Sequence, residues 1–237
     1  MFFSKITLRS DTADLRRLAR LAPADAYKQH KLVWRFFPEG PDHTRDFLYR
    51  REHKSDELAF YVVSSRQPVA DAALWHIQTK TYEPTLRAGQ RLGFSLRANP
   101  VRTKKPDPPD SNPKKRKRHD VVMEAKRQFE LLGQDWSQQR LEASLVHDAG
   151  MEWLAERAGK SGFEVQEDEV VTDNYCRHRF GKRGNDGISV STLDYNGVLT
   201  VVDPTAFVGA LYQGVGPAKG FGCGLLLVRR TGHNPML

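Results

Sequence analysis

The segment Gly214–Gly224 constrains this chain more than any other, because five of its eleven residues are glycine. Glycine tolerates positive φ angles and lets the backbone lie close to a ligand or to another segment. Lys219 places one ammonium group in the middle of the segment, and the apolar run Leu225–Val228 follows directly. The sequence therefore predicts a tight glycine-rich loop that leads into a strand.

Two known nucleotide-binding motifs do not fit this glycine-rich loop. A P-loop needs Gly-Lys-Ser/Thr, whereas Lys219 follows Ala218 and precedes Gly220. A dinucleotide-binding fingerprint follows a strand and opens a helix, whereas this loop follows the helical pattern Phe207–Tyr212 and leads into a strand. Two interpretations stay open from composition alone. The loop presents amide N–H groups to a phosphate backbone, or it is a tight turn whose glycines only relieve strain.

The composition indicates a basic protein with a polyanionic partner. Thirty-seven Lys and Arg against 29 Asp and Glu give a net charge of +8, which bears on association and not on fold. Cys176 and Cys223 match neither a disulfide framework nor a zinc site. The sequence contains no HExxH, no GxSxG and no carboxylate cluster of metal-binding form. We therefore expect neither a metal nor a cofactor.

The sequence offers no targeting or membrane signal. Its start, MFFSKITLRS, lacks an extended apolar core and places Lys5 where one would lie, so a signal peptide is not expected. No run of about 20 apolar residues could span a membrane. We expect a cytoplasmic protein without a membrane partner.

The residue patterns predict an α+β fold. In the first half, strands are expected at Phe2–Leu8, Asp46–Arg51, Glu57–Ser64 and Gln90–Lys104, with one helix over Ala24–Phe37. In the second half, we expect the helices Arg140–Ala158 and Pro204–Tyr212, the latter capped by Asp203, and the strands Phe163–Thr172, Gly197–Val202 and Leu225–Arg229. Asn174–Thr192 is interpreted as a hairpin with a wide turn, and Asn196-Gly197 as a second hairpin signal.

These elements are typical of two tandem ferredoxin-like βαββαβ units, one of them degenerate. We predict an N-terminal domain over residues 1–105 and a C-terminal domain over 121–237. The stretch between them, 106–120, is rich in proline and contains the basic run Lys114–His119. Such a composition predicts a mobile linker or arm, for which a solvated basic segment is the default interpretation.

The first predicted helix carries residues suited to phosphodiester cleavage. Tyr27 and His30 are spaced i, i+3 and so lie on neighbouring parts of one face, with Lys31 and Arg35 beside them. In a metal-independent cut the ribose 2′-hydroxyl attacks its own phosphate, two groups move the protons, and a cation stabilises the extra negative charge. Histidine suits acid or base work because its pKa lies near neutrality. The alternative is a packed, structural histidine.

Four motifs together resemble one family. The run Tyr27–Trp34 resembles Y-x-x-H-x-x-[LV]-W, Arg45–Tyr49 an RDFL-type strand, and Arg97–Arg102 the segment RANPxR/K. With the glycine-rich loop near the C-terminus, the chain resembles the CRISPR-associated repeat-processing endoribonucleases, in the CasE branch of type I-E systems. The matches follow the order of the family over most of the chain. The stretches before the first helix and at 106–119 depart from the family pattern.

This resemblance implies an RNA-processing enzyme that binds the stem-loop of a CRISPR repeat transcript and cuts once at the 3′ base of the stem. The cut leaves a 5′-hydroxyl and a 2′,3′-cyclic or 3′ phosphate, and the protein then keeps its product as a subunit of the Cascade complex. His30 and Tyr27 are implied as the catalytic pair, without a division of acid and base roles. The expected RNA-binding set is Lys31, Arg35, Arg102, Arg177, Arg179, Lys182, Arg183, Gly216, Lys219, Gly220 and Gly222.

Two other functions stay open at this point. A non-catalytic RNA-binding module would use the same basic surfaces, and so would a basic DNA-binding protein. The hairpin carrying Arg177 and Arg179 suits contacts with phosphates and guanine edges, but a solvated hairpin tip is an equally ordinary interpretation.

Overall fold

The computed structural model describes residues 1–9, 26–38, 45–52, 58–104, 117–137, 139–180 and 188–231. The described part contains ten strands, four α-helices and one 3₁₀ turn. In chain order they are β1 (Phe2–Leu8), α1 (Ala26–Trp34), β2 (Phe47–Arg51), β3 (Ala59–Ser64), β4 (Trp75–Thr81), β5 (Arg91–Ala98), β6 (Val101–Lys104), β7 (Lys117–Asp120), α2 (Val121–Leu131), α3 (Gln139–Lys160), β8 (Phe163–Phe180), β9 (Ile188–Val201), α4 (Pro204–Gln213), the 3₁₀ turn Lys219–Phe221, and β10 (Leu226–Arg230). No described helix is long and apolar enough to cross a membrane.

The strands form two four-stranded antiparallel sheets and one two-stranded ribbon. The first sheet has the order β2-β3-β1-β4, and the second has the order β10-β5-β9-β8. When the four strands of each sheet are numbered in chain order, the first and third strands lie in the middle of the sheet, as in a ferredoxin-like fold. The expected α+β architecture of two tandem ferredoxin-like units is confirmed. In the first unit the described connection 65–74 between β3 and β4 makes bends and turns instead of a second helix, so this is the degenerate unit.

Each unit buries its own apolar layer between its sheet and its helices. In the first unit, Leu32 and Val33 of α1 pack with Ile6 and Phe60 of the central strands. The alternation of apolar and polar residues along β1 predicts this arrangement, because successive side chains of a strand point to opposite faces. In the second unit α3 and α4 cover the sheet, and Asp203 caps α4 by accepting from the N–H groups of Thr205 and Ala206.

Several predicted elements are confirmed and several are wrong. The helices predicted at Arg140–Ala158 and Pro204–Tyr212 are observed with each end within two residues of its predicted position. Gln90–Lys104 is not the last strand of the first sheet, because it divides into β5 and β6, and β5 pairs with β9 and β10 of the second sheet. The polar strand β4 and the helix α2 were not predicted. The domain boundaries at 105 and 121 stay a prediction.

The dipeptide Asn196-Gly197 is not a turn, which corrects the predicted hairpin at this position. Both residues lie inside β9, where they pair with β5 and β8. A β-carbon at Gly197 would come within 2.1 Å of the Glu169 carbonyl oxygen. Glycine is needed here because β8 is irregular between Val165 and Val170 and its backbone lies against this position.

The last residues of the basic run at the end of the predicted linker form a strand. They belong to β7, which pairs antiparallel with β6 so that Arg102 lies opposite His119 and Thr103 opposite Arg118. The interpretation of this part as a mobile arm is therefore wrong. Lys114 and the proline-rich segment before it lie outside the described residues. We call the β6–β7 pair the basic ribbon.

Trp153 on α3 is the largest fully buried side chain of the described chain. Its indole N–H donates to the Val101 carbonyl oxygen at 3.1 Å, and its ring stacks on Tyr195 of β9 at 6.1 Å between centroids. Trp153 thus ties α3 to both the second sheet and the basic ribbon.

We expect Trp153→Ala to lower the free energy of unfolding by about 3–5 kcal/mol, because it opens a large cavity in a close-packed core. The matched control is Lys160→Ala on the same helix, which removes one exposed i, i+4 pair with Glu156 and should cost less than about 0.5 kcal/mol. Urea unfolding of both variants measures the difference. Equal losses would show that Trp153 does not hold these elements together.

Candidate active site and nucleic-acid surface

Helix α1 places His30 at the border between its buried and exposed faces. Leu32 and Val33 are turned into the core, whereas His30 is half-buried. Trp34, one turn later, donates its indole N–H to His30 Nε2 at 2.9 Å, and the two rings meet edge to face. The other ring nitrogen, Nδ1, is buried and has no hydrogen-bond partner in the described structure.

The glycine-rich loop lies directly against His30. A β-carbon at Gly220 would lie 3.5 Å from His30 Cε1 and 3.7 Å from Nδ1. The Tyr49 hydroxyl of β2 donates to the Gly220 carbonyl oxygen at 3.0 Å, which fixes the 3₁₀ turn on the first sheet. A β-carbon at Gly222, whose φ is +77°, would lie 3.4 Å from the Tyr49 ring. Two segments that are far apart in sequence therefore form one site.

The base of the loop is held by backbone hydrogen bonds to its own ends and to β5. Val215 N–H donates to the Gly224 carbonyl oxygen at 2.9 Å, and Gly224 N–H donates to the Arg97 carbonyl oxygen at 2.8 Å. Gly216, at φ +78°, lies under the Trp153 ring, where a β-carbon would come within 2.9 Å of two ring carbons. Gly216 thus has a packing role, and its predicted contact with RNA lacks a geometric basis.

Two cations share this site with His30. Arg45 Nη1 lies 3.2 Å from the position of a β-carbon at Gly220, and its Nε is buried without a described partner. Burial, and next the positive charge of Arg45, lower the pKa of Lys219. The same two causes in the same order lower the pKa of His30 below its ordinary 6.5. An anion bound here would relieve the repulsion between these groups.

Tyr27 is the second predicted catalytic residue. The backbone places it in the first turn of α1, three residues before His30, as the motif predicts. Its side chain lies outside the described part of the structure. Lys31 is exposed on the same helix, and Arg35 is exposed in the turn that directly follows it.

A groove of about 940 Å³ begins beside the glycine-rich loop and runs between the basic ribbon, α2 and the β8–β9 hairpin. Ala218 and Phe221 form its end nearest His30, and exposed Arg118, Arg127 and Arg177 line its walls. None of these three arginines forms an ion pair with another described residue. We call this surface the basic groove.

Two of the three acidic residues that line the basic groove, Asp120 and Glu130, accept hydrogen bonds from the protein, and Glu124 is the third. Asp120 accepts from the N–H groups of Val122 and Met123 as the cap of α2, and from the Tyr175 hydroxyl at 2.7 Å. Glu130 accepts from the Trp136 indole at 2.6 Å. These contacts leave the arginines as the groups available to an incoming anion.

The remaining predicted residues divide between the groove and other surfaces. Arg179 is exposed two residues after Arg177 and so lies on the same face of β8, while Lys182 and Arg183 lie outside the described residues. Arg102 points away from the groove, because it pairs with Glu152 at 2.9 Å and Glu156 at 3.3 Å on α3. Its predicted RNA contact therefore has no support in the geometry.

Sequence reasoning missed Trp34, Arg45, Tyr49, Arg118 and Arg127 as site residues. Trp34 and Arg45 were part of the quoted motifs, so the motif positions themselves contained the signal. Arg118 lies in the basic run Lys114–His119, which the sequence analysis interpreted as a solvated segment. Arg127 had no signal, because the groove forms only when β7 pairs with β6. No group of His, Cys, Asp and Glu suited to hold a metal ion occurs among the described residues.

Comparison with known proteins identifies the family. A family model described as CRISPR associated protein matches residues 1–230. The CRISPR system Cascade subunit CasE of Escherichia coli K12 is 30% identical over 212 residues, which cover 88% of this chain and 94% of that protein. The chain belongs to the CasE family of CRISPR-associated proteins.

Two further similarities agree with this membership. The CRISPR-associated endoribonuclease Cse3 of Thermus thermophilus is 28% identical over 158 residues, which cover 63% of this chain and 60% of that protein. The crystal structure of Cas6e from Escherichia coli K-12 has a TM-score of 0.64 at 26% identity and covers 97% of this chain and all of that one. The family resemblance that the sequence motifs indicated is confirmed.

The lowered pKa of His30 makes the stability of the free protein depend on pH. Because the folded-state pKa lies below 6.5, the unfolded chain binds the proton more tightly. The stability that neutral His30 contributes is fully present above about pH 6.5. It is lost as the pH falls through the pKa that His30 has in the folded protein. We expect His30→Gln to lose less stability than the parent protein between pH 7 and 5. Parallel thermal scans of parent and variant measure this, and identical pH dependences would contradict it.

Proposed function

We propose that this CasE-family protein is a metal-independent endoribonuclease that cleaves CRISPR repeat RNA. The observation that carries the proposal is the meeting of His30, Arg45 and Lys219 at the end of the basic groove. An imidazole beside two partly buried cations suits an anionic, proton-transferring reaction. The relatives named as Cascade subunit CasE and endoribonuclease Cse3 support the same activity.

The reaction needs no group beyond the RNA and the protein. The ribose 2′-oxygen attacks the adjacent phosphorus and loses its proton to a base, while the bond from phosphorus to the 5′-oxygen breaks and that oxygen receives a proton. The products are a 2′,3′-cyclic phosphate and a 5′-hydroxyl. We assign proton transfer to His30 and Tyr27, and stabilisation of the extra phosphate charge to Arg45 and Lys219.

The basic groove binds the RNA that carries the scissile linkage. Arg118, Arg127 and Arg177 contact phosphates along its walls, and we assign further phosphate contacts to the backbone amides of Gly220, which lies beside His30, and of Gly222. Arg179 extends the same surface along β8. We also assign RNA contacts to Lys31 on α1, to Arg35 directly after it and, from the sequence alone, to Lys182 and Arg183. The RNA stem lies across this surface with its 3′ base at His30.

We further propose that the protein keeps its cleaved RNA and serves as a subunit of Cascade in the cytoplasm. The support is the 30% identical relative, whose name assigns it to that complex. Salt-sensitive contacts from several arginines favour slow release of a structured product.

The alternative is an RNA-binding subunit without catalytic activity, and a 2′-deoxy substitution at the scissile nucleotide distinguishes the two. We expect the substitution to abolish cleavage, since it removes the nucleophile, and to change the dissociation constant less than about threefold, since base and phosphate contacts remain. Denaturing gels in EDTA with end-group analysis measure cleavage, and filter binding measures affinity. Intact all-ribose RNA after long incubation would favour the alternative.

We expect His30→Ala to lower the single-turnover cleavage rate by about 10²–10⁴-fold, because it removes one proton-transfer group, while RNA binding changes little. His76→Ala is the matched control, since His76 is an exposed histidine on β4. Rapid-quench kinetics at saturating protein measure the rate. Cleavage by His30→Ala at the parental rate would remove His30 from the mechanism.

We expect Arg127→Ala and Arg177→Ala each to weaken RNA binding. Each should also reduce the slope of the logarithm of the binding constant against the logarithm of the salt concentration by the share of about one phosphate contact. Arg140→Ala on α3 is the control, because Arg140 is exposed outside the basic groove. Dissociation constants over a series of KCl concentrations measure the slope. If Arg140→Ala reduced it as strongly as the groove variants, the groove would not be the binding surface.

A further inference from the structure

The hydrogen bond between Trp34 and His30 has a direction that constrains the chemistry of the imidazole. The indole nitrogen of tryptophan can only donate. His30 Nε2 therefore accepts, at 2.9 Å, and must hold a lone pair instead of a proton. The neutral ring then carries its single proton on Nδ1, which is the nitrogen that faces Gly220 and has no described partner.

The other groups around the ring do not compete for either nitrogen. Neither Arg45 nor Lys219 forms a described hydrogen bond with Nδ1, and the Tyr49 hydroxyl donates to the Gly220 carbonyl oxygen. Tyr49 meets the imidazole with its ring, at 6.5 Å between centroids. Among the described residues, Trp34 is thus the group that distinguishes one nitrogen of His30 from the other.

We propose that Trp34 is a positioning residue that fixes the Nδ1–H tautomer of His30. The nitrogen left for the scissile linkage is then Nδ1, which RNA reaches when the backbone at Gly220 that covers it is displaced. The inference rests on the proposed function only where it names RNA as the partner of Nδ1. The tautomer itself does not depend on that function. In the free protein His30 is a hydrogen-bond donor, and a phosphate oxygen of the RNA supplies the acceptor that Nδ1–H lacks.

Protonation of His30 has to break this hydrogen bond. In the imidazolium form Nε2 gains a hydrogen, and two donors would then face each other across 2.9 Å. Trp34 thus acts in the same direction as burial and as the charge of Arg45, both of which favour the neutral ring. Any step in which His30 takes a proton at Nε2 requires the indole to move away.

The packing of Trp34 allows the N–H to be removed separately from the ring. Its indole meets Phe47 edge to face at 5.1 Å, so phenylalanine can keep most of that contact. Trp34→Phe therefore removes the donor and retains an aromatic ring, whereas Phe47→Leu loosens the packing and retains the donor.

The test is nitrogen-15 NMR of the His30 ring in the free protein, which reads the tautomer and the pKa without RNA. We expect the Nδ1–H tautomer in the parent protein and in Phe47→Leu. In Trp34→Phe we expect a mixture of tautomers and a His30 pKa higher by roughly 0.5–1 unit, as one lost hydrogen bond predicts. An Nε2–H tautomer in the parent protein overturns the proposal, and this measurement needs no variant to fold.

The pH dependence of the cleavage rate supplies a second test. We expect the limb of the pH–rate profile that depends on His30 to move to higher pH in Trp34→Phe, whether His30 acts as acid or as base, because the pKa itself rises. In Phe47→Leu the limb should stay in place. An unmoved limb in Trp34→Phe overturns the proposal. If the parent protein cleaves no RNA at all, the proposed function fails. The NMR measurement still decides which tautomer His30 adopts.

Discussion

The contact between the 3₁₀ turn of the glycine-rich loop and the first sheet is the interaction on which the site depends. The Tyr49 hydroxyl bonded to the Gly220 carbonyl oxygen joins the end of the chain to its beginning. Without it, His30 would lie on the edge of a helix with water on one side. With it, the imidazole is half-buried beside two cations and its pKa is lowered. The fold thus creates the electrostatic environment by bringing distant segments together.

The two sheets meet in a second, polar contact that differs in kind from this one. Arg50 of β2 in the first sheet donates to the Ser95 hydroxyl of β5 in the second sheet at 2.9 Å. Within the second sheet, Arg97 of β5 pairs with Asp194 of β9 through two oxygens beside this contact. Beside them Leu48, Tyr61 and Leu225 form a small apolar cluster. Directional bonds of this sort fix the relative orientation of two sheets more strictly than apolar burial does, and that orientation determines whether the loop reaches His30.

Local patterns predicted the elements well and their partners less well. Alternation predicted β1, a polar turn between two apolar runs predicted β2 and β3, and an aspartate before proline predicted the start of α4. These signals lie within a few residues of the structure that they specify. The same reasoning misplaced β5, since a strand pattern does not say which sheet it joins. It misread Asn196-Gly197 because a glycine required by a neighbouring backbone resembles one required by a turn. At the site, the helix spacing placed His30 and Tyr27 on one face, but the role of Arg45 depended on a contact across the chain.

The position of β5 has a consequence for how this chain becomes ordered. β5 lies between β9 and β10 and is hydrogen-bonded to both, so the second sheet is built around a segment made before either neighbour. During synthesis, the first sheet can close once β4 has left the ribosome. The second sheet cannot close until its fourth strand, β10, has emerged. The glycine-rich loop, which directly precedes that strand, is therefore among the last parts to be placed, and an unfinished chain has no site.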